Sequence, residues 1–175
     1  MSDIGEVWKP LIGQIVWSVR RGVGTSITME FGEPHLSIRE PISPRLGHSE
    51  RILQALKRRR VFVTGDWHFW IEYGYWRLTT DSGILEYSTA RSSSIEECLA
   101  DLDGQRLAST GIGTLPHSWI FHFDLNARLE IWPSKEIPDT QWSLHHWDGE
   151  IVACESNGAL RVERAGAAPS PLIGR

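Results

Sequence analysis

The sequence predicts an α+β domain, mainly antiparallel β, made of two similar helix-plus-meander halves that share one core. Three observations predict it. The stretch 13–41, GQIVWSVRRGVGTSITMEFGEPHLSIREP, returns in altered form at 104–133 as GQRLASTGIGTLPHSWIFHFDLNARLEIWP. Apolar and polar residues alternate through much of the chain, the period of a half-buried strand, whereas helical spacing is confined to short segments. Both Gly-x-Gly-Thr turns, Gly22 to Thr25 and Gly111 to Thr114, run into alternating stretches rather than into helices.

The repeat keeps a nearly constant offset. Gly13-Gln14 returns as Gly104-Gln105 after 91 residues, and Ser26, Phe31 and Pro41 return as Ser118, Phe123 and Pro133 after 92. The glycine turns sit at an offset of 89, where a loop gains or loses residues. Upstream, Ile4, Val7, Trp8 and Leu11 fall on Ile95, Cys98, Leu99 and Leu102. Downstream, Asp66-Trp67-His68-Phe69 aligns with Gln141-Trp142-Ser143-Leu144. A single domain over 1–162 is therefore expected, with halves at 1–91 and 92–162 and a disordered tail at 163–175.

In chain order, Asp3 and Glu6 stand at capping-box spacing before a short helix that Pro10 limits. A strand from Gln14 to Arg20 presents Ile15, Trp17 and Val19 on one side, and Ile27, Met29 and Phe31 repeat the alternation in a second. After the Gly32-Glu33-Pro34 turn, Leu36 and Ile38 begin a third strand, completing a meander that Pro41 ends. Residues 42–60 have no counterpart in the second half; Ile52, Leu53 and Leu56 give a short amphipathic helix over Ser49 to Arg59 with a basic end. Val61 to Val63 and the strongly patterned Trp67 to Tyr73 follow as strands, then a hairpin around Asp81-Ser82-Gly83.

The second half opens with the capping box Ser94-x-x-Glu97, the stripe Ile95, Cys98, Leu99, Leu102, and a C-cap glycine at Gly104. Strands are expected at 106–109, 119–124, 128–132, 141–146, 151–155 and 159–162.

Composition excludes several function classes. With 41% hydrophobic and 23% charged residues the chain is neither a disordered polymer nor a string of membrane helices. No apolar run approaches the ~20 residues a bilayer requires, and no secretory leader opens the sequence, so a cytoplasmic protein is expected. A formal charge of −4 argues against nucleic acid as partner, since that affinity rests on clustered Lys and Arg. The run Lys57-Arg58-Arg59-Arg60 is the exception, and it suits an acidic partner or a solvated helix end. Cys98 and Cys154 are two lone cysteines without metal or redox spacing. Nine Trp in 175 residues must pack inside or at an interface.

No cofactor is assigned, because no dinucleotide fingerprint, phosphate loop, nucleophile elbow or zinc-protease motif occurs. The face of the patterned strand carries Asp66, His68, Trp70 and Glu72, and with Trp132 and Trp147 these form the candidate interaction surface. Trp70, Trp76, Trp132 and Trp147 are the tryptophans expected at the surface, whereas Trp67 and Trp142 are expected as aligned core anchors. A metal reading uses Glu30, His122 and Asp124: His122 and Asp124 share a strand face, and the repeat places Glu30 at the position of His122. These three converge only if the halves pack about a pseudo-twofold axis.

The segments Phe31-Gly32-x-Pro34-x-Leu36-x-Ile38-Arg39-Glu40-Pro41, Gly65-x-Trp67-x-Phe69-Trp70-Ile71, Gly104-Gln105, Phe123-Asp124-Leu125 and Gln141-Trp142-x-Leu144 resemble an uncharacterised bacterial family of small conserved hypothetical proteins. The resemblance spans residues 11–162 and implies no activity. The expectation is thus a non-catalytic protein that binds another protein, of which an immunity-type protein is one specific form, with an enzyme or metal-dependent binder at the seam between the halves as the alternative.

Overall fold

Alternation dominates the sequence, and among the described residues thirteen strands with three short helices result. The computed structural model describes residues 4–24, 26–41, 50–81, 83–86 and 92–164. Helix α1 (Ile4–Trp8) tightens into a 3-10 turn at Lys9–Leu11, where Pro10 has no N–H to offer the helix. Strands β1 (Val16–Arg21), β2 (Ile27–Phe31) and β3 (His35–Arg39) follow, then α2 (Glu50–Leu56), β4 (Arg60–Thr64), β5 (Trp67–Ile71), β6 (Tyr75–Thr80) and β7 (Gly83–Glu86). Helix α3 (Ser92–Leu102) leads to β8 (Leu107–Ile112), β9 (Trp119–Phe123), β10 (Arg128–Trp132), β11 (Trp142–His146), β12 (Glu150–Cys154) and β13 (Leu160–Arg164). The expected tail begins inside β13, and its remainder, like the residues Ser2, Asp3, Thr25, Ser49 and Ser82, lies outside the described residues.

All pairings between these strands are antiparallel, as the alternation predicts. One sheet has the order β1-β2-β5-β11-β12-β13, a second β7-β6-β10-β9-β8, and β3-β4 stand apart as a two-stranded ribbon. The two larger sheets face each other across one core. Trp8 fills it: its ring meets Phe69 and Trp142 of the first sheet and Phe121 and Trp119 of the second, at centroid distances of 5.4, 4.7, 4.8 and 6.5 Å. Phe69 also meets Phe121 directly at 5.8 Å. Fully burying such side chains stabilises by about 1.5–3 kcal/mol each. Helix α3 turns Ile95, Leu99 and Leu102 into this core while packing on β1, β6 and β7.

The first edges of the two sheets meet in a reciprocal set of backbone bonds. Gly13 N–H donates to the Leu107 carbonyl at 2.7 Å and Gly104 N–H to the Val16 carbonyl at 2.8 Å. Val16 N–H donates to Gln105 at 2.8 Å and Leu107 N–H to Gln14 at 2.9 Å, with Ile15 opposite Arg106 at the centre. Gly13 and Gly104 adopt φ of 85° and 90° just past their helices, a conformation costly for any residue with a Cβ.

Four expectations are corrected. The strand from Leu36 does not complete a meander: β2 pairs with β5, and β3 pairs with β4 instead. Gly65 explains this, because it lets the chain entering β5 pass so close to Phe31 that any Cβ would strike the Phe31 backbone. Second, β1 does not present Ile15, Trp17 and Val19 inward together. Ser18 takes φ of 54° and the register with β2 shifts between Trp17 and Arg20, so Val16 is buried and Ile15 is exposed.

Third, Trp76 is fully buried rather than exposed. Fourth, Trp67 and Trp142 are not matching anchors. Their strands lie side by side in one sheet, where Phe69 faces Leu144 and Ile71 faces Trp142. The position that Trp142 and Leu144 hold beside Ile71 and Phe69 is held in the other sheet by Trp76 and Leu78 beside Ile131 and Leu129.

Candidate functional site

Alternation on β2, β5 and β11 sends Met29, Phe69 and Leu144 into the core and so sends Glu30, His68 and His145 to the outer face of the six-stranded sheet. The register puts these three in one row, Glu30 opposite His68 and His68 opposite His145. The neighbouring row holds Thr28, Trp70 and Ser143. The ribbon β3–β4 lies over the near end of this face, enclosing a cavity of ≈ 480 Å³ between Phe62, Val63 and Thr64 above and Trp17, Arg20 and His68 below.

The polar groups on this face satisfy one another. Glu30 is 7% exposed; one carboxylate oxygen accepts from His68 Nδ1 at 2.7 Å and the other from Gly65 N–H at 2.9 Å. A carboxylate only accepts, so Nδ1 carries the His68 hydrogen. Ser143 donates its hydroxyl hydrogen to Glu72 at 3.0 Å, and its oxygen therefore accepts from His145 Nε2 at 3.0 Å. Burial pushes the Glu72 carboxyl above the usual carboxylate range despite this hydrogen bond. Burial also lowers the His145 pKa, helped by the neighbouring His68, whose ring lies 5.8 Å away edge-on.

This geometry bears on chemistry. A serine nucleophile needs its proton directed at a base, but the Ser143 proton points at Glu72 while His145 donates to the same oxygen. Ser143 is also 3% exposed. Trp70, in the same row as Ser143, is by contrast 38% exposed.

A second cluster stands at the end of the sheet. Asp66 accepts from His35 Nε2 at 2.7 Å and from Glu33 N–H at 2.8 Å, and the His35 hydrogen bond holds its carboxyl below the usual range. The His35 ring stacks on Trp147 at 4.8 Å and 16°, leaving Trp147 58% exposed. Trp147 N–H donates to the Asp66 carbonyl at 2.9 Å, which fixes the indole's root. His146 lies against Trp67 at 4.3 Å and bonds Asp148 at 2.7 Å.

Of the six surface residues read from the sequence, Asp66, His68, Trp70, Glu72 and Trp147 lie on or beside the outer face of the six-stranded sheet. Trp132 does not: it is half-buried on β10 of the other sheet, beside Tyr75 at 6.1 Å and under the Arg77 guanidinium at 5.8 Å. Glu30, His122 and Asp124 are not brought together. Phe31 and Phe123 occupy the shared core from opposite sheets, so Glu30 and His122 point outward on opposite sides. His122 and Asp124 are exposed, and Asp124 accepts from Arg106 N–H at 2.7 Å. Among the described residues no group of three His, Cys, Asp or Glu is placed to hold a metal ion.

Sequence reasoning missed His35, Ser143 and His145. The alternation Ser143-x-His145 was readable on β11, but nothing local indicates that β11 lies beside β5. No family model, curated protein or solved structure matches the chain.

Proposed function

We propose that the chain is a non-catalytic binding protein that engages another protein through the outer face of its six-stranded sheet. The observation that carries this reading is the division of labour on that face: the acids, serine and histidines are committed to one another, while Trp70 and Trp147 stand exposed. Aromatic anchors held in place lose little freedom on docking and supply large contact area. Trp147 is held by His35 and by its own backbone bond to Asp66. An immunity-type role, in which the face blocks a partner's active surface, is one form of this reading.

The proposal also takes in the two-halves architecture. The reciprocal bonds of Gly13 with Leu107 and of Gly104 with Val16 support a duplicated unit, because Gly104 follows Gly13, and Leu107 follows Val16, by the same 91 positions. So do the paired Trp-x-Leu segments Trp76–Leu78 and Trp142–Leu144.

The test is affinity capture from a lysate of the source cells with the wild-type chain and with Trp70→Ala/Trp147→Ala. A protein retained by the first and lost by the second, with both folded by circular dichroism, supports the reading. Retention that ignores both tryptophans, or turnover of substrates abolished by Ser143→Ala, sinks it.

A further inference from the structure

The ribbon β3–β4 is an appendage to the folded core. None of the described residues between His35 and Thr64 belongs to the buried core cluster. Its register sets Leu36 opposite Val63 and Ile38 opposite Val61, all on one face. These four are 69%, 52%, 56% and 59% exposed. A contiguous apolar face left open on a folded chain marks a contact surface.

The opposite face has another character. Arg39 lies directly opposite Arg60, with Phe62 next on that face, and a cavity of ≈ 490 Å³ opens among these three and Val61. Like charges facing each other across a strand pair destabilise it. Arg59 is paired with Glu40 at 2.9 Å, whereas no acid partners Arg39 or Arg60 among the described residues. Lys57 and Arg58 add two exposed cations at this end of a chain whose net charge is −4.

Each ribbon strand pairs on one side only among the described strands, so each also presents an open row of N–H and C=O groups. An added strand would lay alternate side chains on the two faces. We propose that the ribbon takes up an extended segment of another protein by strand addition, and that the segment alternates apolar with acidic residues. Its apolar residues continue the Leu36, Ile38, Val61, Val63 face, and its acidic residues meet Arg39 and Arg60. A second copy of the ribbon is a poor occupant, because its strands His35–Arg39 and Arg60–Thr64 carry no acid to meet Arg39 or Arg60.

The test selects a displayed library of random twelve-residue peptides on the full chain. Enrichment of alternating apolar–acidic peptides is expected. Synthetic versions should bind about tenfold or more weakly to Arg39→Glu/Arg60→Glu and should recover when their acids are replaced by lysines. N-methylation of alternate peptide amides should abolish binding on one register only, as edge pairing requires. Trp70→Ala separates this proposal from the sheet-face reading and should leave peptide binding unchanged. Loss of binding in Trp70→Ala with none in the arginine variant overturns the ribbon and leaves the sheet face standing. Failure to enrich any peptide, enrichment without alternation, or concentration-dependent dimerisation that Ile38→Ser/Val61→Ser abolishes overturns it as well.

Discussion

His145 lies edge-on to His68, with ring centroids 5.8 Å apart, on a face where both imidazoles already hold hydrogen-bond partners. Burial and the neighbouring histidine lower the His145 pKa from its ordinary 6.5. The unfolded chain then binds more protons than the folded one between 6.5 and the lowered value, so stability rises with pH through that window. Acidification below 6.5 is expected to lower the urea midpoint, and His145→Gln is expected to flatten that part of the profile. Urea titrations at about pH 7.5 and about pH 5.5 measure the difference. An unchanged slope in the variant would place the proton elsewhere.

Glu130 is 2% exposed on β10, and its Oε1 has no hydrogen-bond partner. Its other oxygen stands 3.6 Å from Arg77 and 3.8 Å from Arg128, beyond good hydrogen-bond distance. A buried carboxylate so loosely compensated contributes little. Glu130→Leu is therefore expected to be neutral or to stabilise by about 1 kcal/mol. Arg128→Met, which leaves the acid with fewer cations, is expected to destabilise by about 1 kcal/mol. Denaturant midpoints at constant m-value decide both.

Two turns carry the same steric signature. Gly22 N–H donates to the Ser26 carbonyl at 2.8 Å and Gly113 N–H to the Ser118 carbonyl at 3.0 Å. The serine hydroxyls close each turn on Val23 and Leu115 at 2.9 and 2.8 Å. A Cβ at either glycine would run into that hydroxyl. Gly22→Ala and Gly113→Ala are each expected to cost about 1–3 kcal/mol. Adding Ser26→Ala or Ser118→Ala should recover part of the loss, which double-mutant cycles by thermal or urea unfolding will show. At Gly113 recovery should be smaller, since Glu130 Oε1 is also 2.7 Å from the new carbon.

Cys98 and Cys154 are both buried. Burial pushes the Cys154 thiol up to about 12 and raises that of Cys98 as well. Both should react with an aromatic disulfide reagent about a hundredfold or more slowly in the native chain than in urea. Rapid native labelling of Cys154 would mean that the β12 end of the core opens far more readily than its packing implies.

Much of this architecture was legible because alternation is a local property. Met29 and Phe31, or Trp142 and Leu144, declare a buried face within a few residues, and both faces are buried. The bulge at Ser18 was not legible, because nothing in Trp17-Ser18-Val19 demands a positive φ. Neighbour relations were not legible either. Whether Leu36 to Ile38 or Trp67 to Ile71 flanks β2 depends on how closely Gly65 passes Phe31, a contact between residues far apart in sequence. The site divides along the same line. The β5 face from Asp66 to Glu72 could be read directly, whereas Glu30, Ser143 and His145 reach it only through sheet pairing.

The order of strands in the two large sheets also sets an order of events. Every strand of the five-stranded sheet comes from the continuous stretch between Tyr75 and Trp132. The six-stranded sheet instead joins β5 to β11, whose partners arrive from either side of that stretch. A chain emerging from the ribosome thus holds all the strands of one sheet before it holds the fourth strand of the other. Until residue 146 is made, Phe69 and Ile71 have an open edge beside them, and the rows that run from Glu30 through His68 to His145 and from Thr28 through Trp70 to Ser143 are not yet a face. The surface proposed to meet a partner is among the last parts of the molecule to exist.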